Sequence, residues 1–353
     1  MPIFPNHLGR ALLACTGSPQ NGFSVFQVQV LGTSAAIPTT NRYPSAQVVT
    51  VNDRHHLVDC GEGTQMRLLH HRVKFSRLDA IFISHLHGDH VLGIPGLLTS
   101  LGLYERNFPL KLFAPAGLKT ILDVTFDQTS SYLNYELEFI PTEDFQPGDV
   151  IYTNEDKGFQ VELLPLDHRV FCRGFRFIEV RKRLKFDFYK AKALEVPNAY
   201  FKLLKQGNAI TLEDGRVIQP EQVTSEPDPP LSFAYCSDTR YLEELVPYIE
   251  DTVLLYHEAT FLHDMMKRAE ATAHSTSLQA AQIAHQARVG RLLLGHFSAR
   301  YKDLYPLLSE ARSVFPDTQL AHDGYVYDLK RIFKETRPES SNGHSSPPEE
   351  STE

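Results

Sequence analysis

Short apolar runs rich in β-branched and aromatic side chains recur along the chain, most of them closed by glycine, asparagine, aspartate or histidine. That is the pattern of strands bounded by turns. Phe26-Gln-Val-Gln-Val-Leu31 alternates apolar and polar and predicts a half-buried strand, whereas Leu78-Asp-Ala-Ile-Phe-Ile-Ser84 is nearly continuous and predicts a buried one. Strands are expected near 26–31, 46–51, 55–59, 79–84 and 110–113, and again near 159–165, 174–180, 231–236, 252–256 and 290–295. Helical spacing appears near 276–288 and 303–313, and Gly93, Pro95 and Gly96 precede an apolar series that suits a helix start. Two similar successions of strands and helices predict an α/β protein with two mixed sheets packed face to face and helices outside.

Three segments break this rhythm. The first 24 residues, with Pro2, Pro5, Gly9, Gly17, Pro19 and Gly22, read as a loosely ordered N-terminal extension. The last stretch, 336–353, is rich in serine, proline and glutamate with nothing apolar to bury, and is expected to be disordered. Between them, 25–335 is read as one domain interrupted by a basic segment at about 181–222. That segment carries Lys190, Lys192, Lys202 and Lys205, is polar, and shows little apolar periodicity, so on pattern alone it reads as a solvated loop.

Composition changes the picture modestly. With 42% hydrophobic residues, the 353-residue chain can bury a large core. A net charge of −8 argues against general nucleic-acid affinity, so an anionic polymer would have to land on a local basic patch such as the 181–222 segment. Four cysteines at unpaired spacings suggest a reducing compartment and no Cys-based zinc knuckle. No stretch reaches the length of a membrane span, and no signal peptide is evident, so a cytoplasmic location is expected.

The chemistry concentrates in His85-Leu-His-Gly-Asp-His90, at the end of the strand near 79–84. His85 and His87 can converge from an extended segment, while Asp89 and His90 lie beyond Gly88, which permits a sharp turn. Two pairs aimed in different directions point to two metal ions. Three more strand ends offer ligands: His168 after 159–165, Asp238 after 231–236, and His296 after 290–295. A single histidine after a strand is usually a surface residue; seven ligand-type residues at strand ends are a site. Nitrogen and oxygen donors suit zinc and also admit manganese or iron. Asp238 could bridge two ions, and a pair of ions can activate water for an in-line displacement.

These residues resemble the metallo-β-lactamase superfamily and, within it, the ribonuclease Z family. The narrower likeness rests on Leu31-Gly-Thr-Ser-Ala-Ala-Ile-Pro38, Val58-Asp-Cys-Gly-Glu-Gly-Thr-Gln65 and the His85–His90 motif. It continues through Tyr235-Cys-Ser-Asp-Thr-Arg240, His257-Glu-Ala-Thr-Phe261, Ala273-His-Ser-Thr276 and Leu294-Gly-His-Phe-Ser-Ala-Arg-Tyr301. The motifs run in the family's order over about 26–330. The resemblance implies an αββα sandwich with an inserted tRNA-binding arm, and a homodimer in which one subunit's arm serves the other's site. It implies a zinc-dependent endoribonuclease that removes 3′ trailers from precursor tRNA. His85, His87 and His168 would hold one zinc; Asp89, His90 and His296 the other; Asp238 would bridge. Asp89 would accept the proton of the attacking water, and His274 would assist the leaving oxygen with Glu258 orienting it. Read without the family, His274 is a residue at a helix start, beside a Ser275 that could cap that helix.

The chain departs from the family in two places. The loop Pro38-Thr-Thr-Asn-Arg-Tyr43 keeps Pro38 and Arg42 of a Pro-x-Lys-x-Arg-Asn element tied to sensing of a 3′ CCA end, but lacks its Lys and Asn. The arm keeps Leu204-Lys205-x-Gly207 but has lost glycines. Arg42 and the four arm lysines are the candidate tRNA contacts. Two other readings of the residues are a related two-metal phosphodiesterase or arylsulfatase-like hydrolase acting on small molecules, and a non-catalytic RNA-binding protein.

Overall fold

A computed structural model describes residues 25–180, 184–225 and 229–337. The N-terminal extension, Arg181 to Arg183 of the basic run, and 338–353 of the expected tail lie outside the described residues.

Two seven-stranded mixed sheets form the centre. The first runs, edge to edge, Val326–Asp328, Phe26–Gly32, Ala46–Val51, Arg54–Val58, Leu78–Phe82, Leu110–Ala114, Leu137–Pro141. The second runs Thr318–Leu320, Arg291–Gly295, Leu254–Glu258, Ser232–Cys236, Arg173–Glu179, Phe159–Pro165, Val150–Asn154. Each has an antiparallel half and a parallel half. In the first, Arg54–Val58 through Leu137–Pro141 are parallel; in the second, Ser232–Cys236 through Thr318–Leu320 are. The edge strand Val326–Asp328 pairs antiparallel with Phe26–Gly32, Val28 opposite Tyr327, so the far end of the chain completes the sheet that its beginning starts.

Side chains alternate between two hydrophobic layers, as a pleated strand requires. From Leu78–Phe82, Ala80 and Phe82 point into the core between the sheets, while Ile81, like Ile83 just beyond the strand, points outward under helices. Burial on both faces explains why that run reads as continuously apolar. Between the sheets Phe82 stacks on Phe113 at 4.8 Å and meets Phe177 edge-on at 5.4 Å. Truncating such a phenylalanine to alanine costs about 3–5 kcal/mol. Outside the first sheet lie the helices Thr64–His70, Ile94–Leu103 and Gly117–Gln128, which bury Leu68, Leu97, Leu101 and Leu122. Outside the second lie Ser277–Gln286 and Tyr305–Arg312, with Ala281, Ile283, Leu307 and Ala311 inward. The layers are helix, sheet, sheet, helix.

Several expectations are corrected. The 181–222 segment is not a bare solvated loop: its described part folds into short helices Phe188–Ala193 and Phe201–Lys205, a small hairpin at 210–218, and an antiparallel pair that joins Lys185–Phe186 to Thr224–Ser225. These close over a core of their own, with Ala191, Val196, Leu204, Ile210, Ile218 and Val223 buried. At most one fully buried residue per short element leaves no periodic window to detect. Thr336 is not part of a tail but the last residue of a helix, Leu329–Thr336, whose Leu329 and Ile332 enter the inter-sheet core. The helix after His274 is capped by Thr276, not Ser275. Thr276 Oγ1 accepts from Gln279 N at 3.3 Å and Gln279 Oε1 accepts from Thr276 N at 3.0 Å, a capping box. Ser275 instead donates to Thr239 O at 2.8 Å.

Candidate metal centre

The C-terminal ends of the parallel strands of both sheets meet at one seam, where open α/β sheets place their chemistry. Leu78–Phe82 delivers His85 and His87, and the short helix Gly88–Val91 carries Asp89 and His90. From the other sheet, Phe159–Pro165 leads to His168, Ser232–Cys236 to Asp238, and Arg291–Gly295 to His296. His296 at φ 53° and Asp59 at φ 55° are left-handed, a conformation that costs a non-glycine residue about 1–3 kcal/mol and concentrates at functional sites.

All seven residues converge, in two groups. Nε2 of His85 and of His168 lie 3.0 and 3.2 Å from His87 Nδ1, and Asp238 Oδ2 lies 3.5 and 3.8 Å from the same two Nε2 atoms. In the second group His90 Nε2 and His296 Nε2 are 3.3 Å apart, and each is 3.4 Å from Asp89 Oδ2. Asp238 Oδ1 faces this second pair at 3.5 and 3.2 Å, so its two oxygens divide between the groups. Ligands ~2.0–2.1 Å from a tetrahedral zinc stand ~3.3–3.4 Å from one another, and these spacings bracket that edge.

The rings are oriented by what backs them. His168 Nδ1 donates to Ala273 O at 2.7 Å, and His90 Nδ1 to Asp59 Oδ2 at 2.7 Å. Ser84 Oγ donates to Asp59 Oδ2 at 2.9 Å and so accepts from His85 Nδ1 at 3.0 Å. Thr260 Oγ1 donates to Glu258 Oε2 at 2.6 Å and so accepts from His296 Nδ1 at 3.0 Å. Four imidazoles thus aim Nε2 at the seam, and His87 alone aims Nδ1. Acceptor atoms packed this closely need positive charge among them. Without a metal, protons supply some of it. Burial opposes the charge on His90, but Asp238, Asp89 and Asp59 raise its pKa well above the ordinary value. Burial dominates at His85, His87 and His168 and lowers theirs. Burial also resists ionisation of Asp238 and Asp89; the facing histidines overcome it and hold both carboxyls well below the usual range. The donor set fits two metal ions sharing Asp238.

A cleft of about 650 Å³ opens over the groups, lined by His87, Asp89, Asp238, His274 and His296. His274 Nδ1 donates to the buried Glu258 Oε1 at 2.9 Å. Burial disfavours the charged ring, yet Glu258 lifts its pKa to about 9. His274 also lies within ligand distance of Asp238 and His296, but its Nδ1 is engaged by the carboxylate.

The remaining candidates lie elsewhere. Arg42 donates to Tyr301 O at 3.2 Å and Ser298 O at 3.4 Å, tying its loop to the turn after His296. Lys190 pairs with Asp187 at 3.8 Å, and Lys205 sits over Phe186 and Phe188 at 5.0 and 5.2 Å. Lys192 and Lys202 are exposed on the same arm. Sequence reasoning missed Asp59, Thr260 and Tyr235. Asp59 accepts from Ser84 N and Oγ, His90 Nδ1 and the Tyr235 hydroxyl, the last at 2.7 Å. An aspartate before Cys-Gly reads locally as a turn, and its partner 176 residues away is invisible in sequence.

A family profile described as "Anti-Pycsar protein Apyc1" is similar to residues 26–169. Ribonuclease Z of Porphyromonas gingivalis is 40% identical over 306 residues, 87% of this chain and 100% of that protein. Ribonuclease Z of Bacteroides fragilis is 41% identical over 309 residues, 86% and 99%. Among solved structures, human tRNase Z, short form, superposes with a TM-score of 0.61 at 27% identity, covering 86% of this chain and 99% of that one. The metallo-beta-lactamase fold protein YhfI from Bacillus subtilis gives 0.61 at 23% identity over 86% and 99%, a likeness of fold alone. Identity near 40% across nearly the whole length of such relatives, on this αββα frame, settles the family: the chain has the metallo-β-lactamase fold and belongs to the ribonuclease Z family.

Proposed function

We propose that this protein is a metal-dependent endoribonuclease that cuts precursor tRNA at its 3′ trailer, leaving a 3′-hydroxyl on the tRNA and a 5′-phosphate on the trailer. The observation that carries this reading is the seam itself: two ligand groups sharing Asp238, with His274, backed by the buried Glu258, on the same cleft. His85, His87 and His168 would hold one zinc, Asp89, His90 and His296 the other, with manganese or iron(II) able to replace it. Such a pair lowers the pKa of water and stabilises charge on the attacking and leaving oxygens of a phosphodiester. Asp89, whose Oδ2 accepts from the Ala36 N–H at 2.7 Å, would take the proton of the attacking water. His274, whose pKa Glu258 raises, would protonate the departing tRNA 3′-oxygen. The small-molecule hydrolase and the non-catalytic RNA binder are not favoured.

Lys190, Lys192, Lys202 and Lys205 give the folded arm a basic face for the tRNA body. A homodimer is supported by exposed Met66, Leu69, Leu92, Leu103 and Tyr104 on and between two adjoining outer helices, and the arm of one copy would serve the cleft of the other. No helix among the described residues is long and apolar enough to cross a membrane, and buried unpaired Cys60, Cys172 and Cys236 suit the cytoplasm. The test is cleavage of a 3′-extended precursor tRNA by protein of measured metal content and oligomeric state, before and after chelation and zinc return. Cleavage at the trailer junction that vanishes and returns is expected. Metal-loaded protein that leaves the trailer in place would overturn the reading.

A further inference from the structure

Three arginines line the cleft above the metal-ligand groups. Arg169 directly follows His168, Arg268 is on the helix Met266–Thr272, and Arg300 is in the turn after Phe297–Ser298. All three are exposed, and among the described residues none forms an ion pair or bonds a carboxylate. Several arginines elsewhere are neutralised, Arg54 by Asp79, Arg216 by Asp214 and Arg240 by Asp167. The exposed Arg72 and Arg312, which form no ion pair among the described residues, do not line the cleft. In a chain of net charge −8, three unmatched guanidiniums on one cleft concentrate positive potential there.

Arg300 is held in place. Its guanidinium lies over Phe261 at 4.9 Å, Nε donates to Ser298 Oγ at 3.0 Å, and Nη1 is 2.9 Å from Met265 Sδ. Arg42 grips the backbone of the same turn on either side, at Ser298 O and Tyr301 O. Arg169 sits near enough to His87 and His274 for its charge to act on both. Of the other lining residues, the loop 35–38 and Pro44 carry no charge, and Glu62 is a carboxylate at the cleft outside the metal-ligand groups. The charge of a scissile phosphate would be met by the cations the metal-ligand groups hold, and about 650 Å³ is more room than one diester fills.

We propose that Arg169, Arg268 and Arg300 bind phosphates flanking the scissile one, so that the site selects an RNA strand continuing past the cut over an isolated diester. The inference rests on the phosphodiesterase reading and names what that site measures: consecutive phosphates, gripped by planar guanidiniums suited to bidentate contact.

The experiment uses the metal-loaded full chain hydrolysing bis(p-nitrophenyl) phosphate, with 5′-phosphorylated oligoribonucleotides of one, two and four nucleotides as competing ligands. The inhibition constant should fall at least ~10-fold from one to four nucleotides, the scale of one well-placed charged contact. In Arg268→Ala/Arg300→Ala and in Arg169→Ala that length advantage should shrink to below ~3-fold, and Arg→Lys should restore part of it. A precursor tRNA with a one-nucleotide or a six-nucleotide trailer is compared in parallel and should show the same loss. No length advantage in the unaltered protein, or an equal one in the alanine variants, overturns the proposal. If the diester is hydrolysed and precursor tRNA is not, the tRNA reading fails while the length comparison still decides this one.

Discussion

Asp59→Asn should separate the two metal positions. The carboxylate is fully buried: Oδ1 accepts from Ser84 N at 2.8 Å, and Oδ2 accepts from Ser84 Oγ, Tyr235 Oη and His90 Nδ1 at 2.9, 2.7 and 2.7 Å. Every contact is a donor, so an amide nitrogen is wrong in either orientation. Its less damaging placement, at Oδ1, leaves the Ser84 N–H facing another donor, at about 1–3 kcal/mol. The three remaining bonds then go to a neutral acceptor, and each weakens by about 1 kcal/mol, the gap between charged and neutral acceptors. Metal-free protein should lose about 4–6 kcal/mol of stability. The larger effect is selective. His90 is the one imidazole of the five backed by a carboxylate, and that contact fixes its Nε2 toward Asp89 and His296. Losing such a partner typically costs 10–100-fold in metal affinity. Competition against a chromophoric chelator, resolved into two steps, should show one step falling by that factor while the other shifts by less than ~3-fold. Equal weakening of both steps, or none, refutes the argument.

Asp238→Ala should release both ions together while His168→Ala weakens one preferentially; elemental analysis retaining two ions in Asp238→Ala would end the bridging role. His274→Ala should keep both ions and lower kcat on tRNA about 10²–10⁴-fold, with a smaller loss on bis(p-nitrophenyl) phosphate, whose leaving group needs little protonation; equal loss on both would make His274 a phosphate contact. Because His274 acts protonated and its pKa is raised from its ordinary 6.5 to about 9, activity should be present at neutral pH and decline as pH climbs through that pKa. Bound cations bring this alkaline limb below 9, and Glu258→Gln should move it further toward 6.5 in a pH–rate profile. Removing 190–207 should weaken tRNA binding and flatten its salt dependence, since fewer phosphate contacts release fewer counterions; an unchanged slope would mean that the arm's lysines do not meet the backbone.

Legibility tracked burial. Leu78–Phe82, Ser232–Cys236 and Arg291–Gly295 sit mid-sheet with both faces covered, and their unbroken apolar character gives them away. Leu137–Pro141 and Val150–Asn154 are edge strands with mostly half-buried or exposed residues, so no alternation marks them. Val326–Asp328 is too short to carry a period. At the site, residue types with metal-ligand chemistry stood out because imidazole and carboxylate clusters have few structural uses. Their supports did not: Asp59, Thr260 and Tyr235 are ordinary residues whose partners come from distant segments, Thr260 meeting His296 across 36 residues and Tyr235 meeting Asp59 across 176. The three arginines were hidden for the same reason, since a guanidinium is conspicuous only once its missing counterion is known.

The pairing of Val326–Asp328 with Phe26–Gly32 has a consequence for how the protein is made. At ~5–20 residues per second, the ribosome finishes the last strand roughly 15–60 s after the first. Throughout that interval Gln27, Val28 and Gln29 have one flank without a partner strand, and Leu329 and Ile332, which plug the core beside it, are still unmade. An open strand edge is a template for pairing with other chains. The nascent chain is therefore most exposed to misassembly at its beginning, and a product truncated before Val326 would keep every metal-ligand residue yet never close its first sheet.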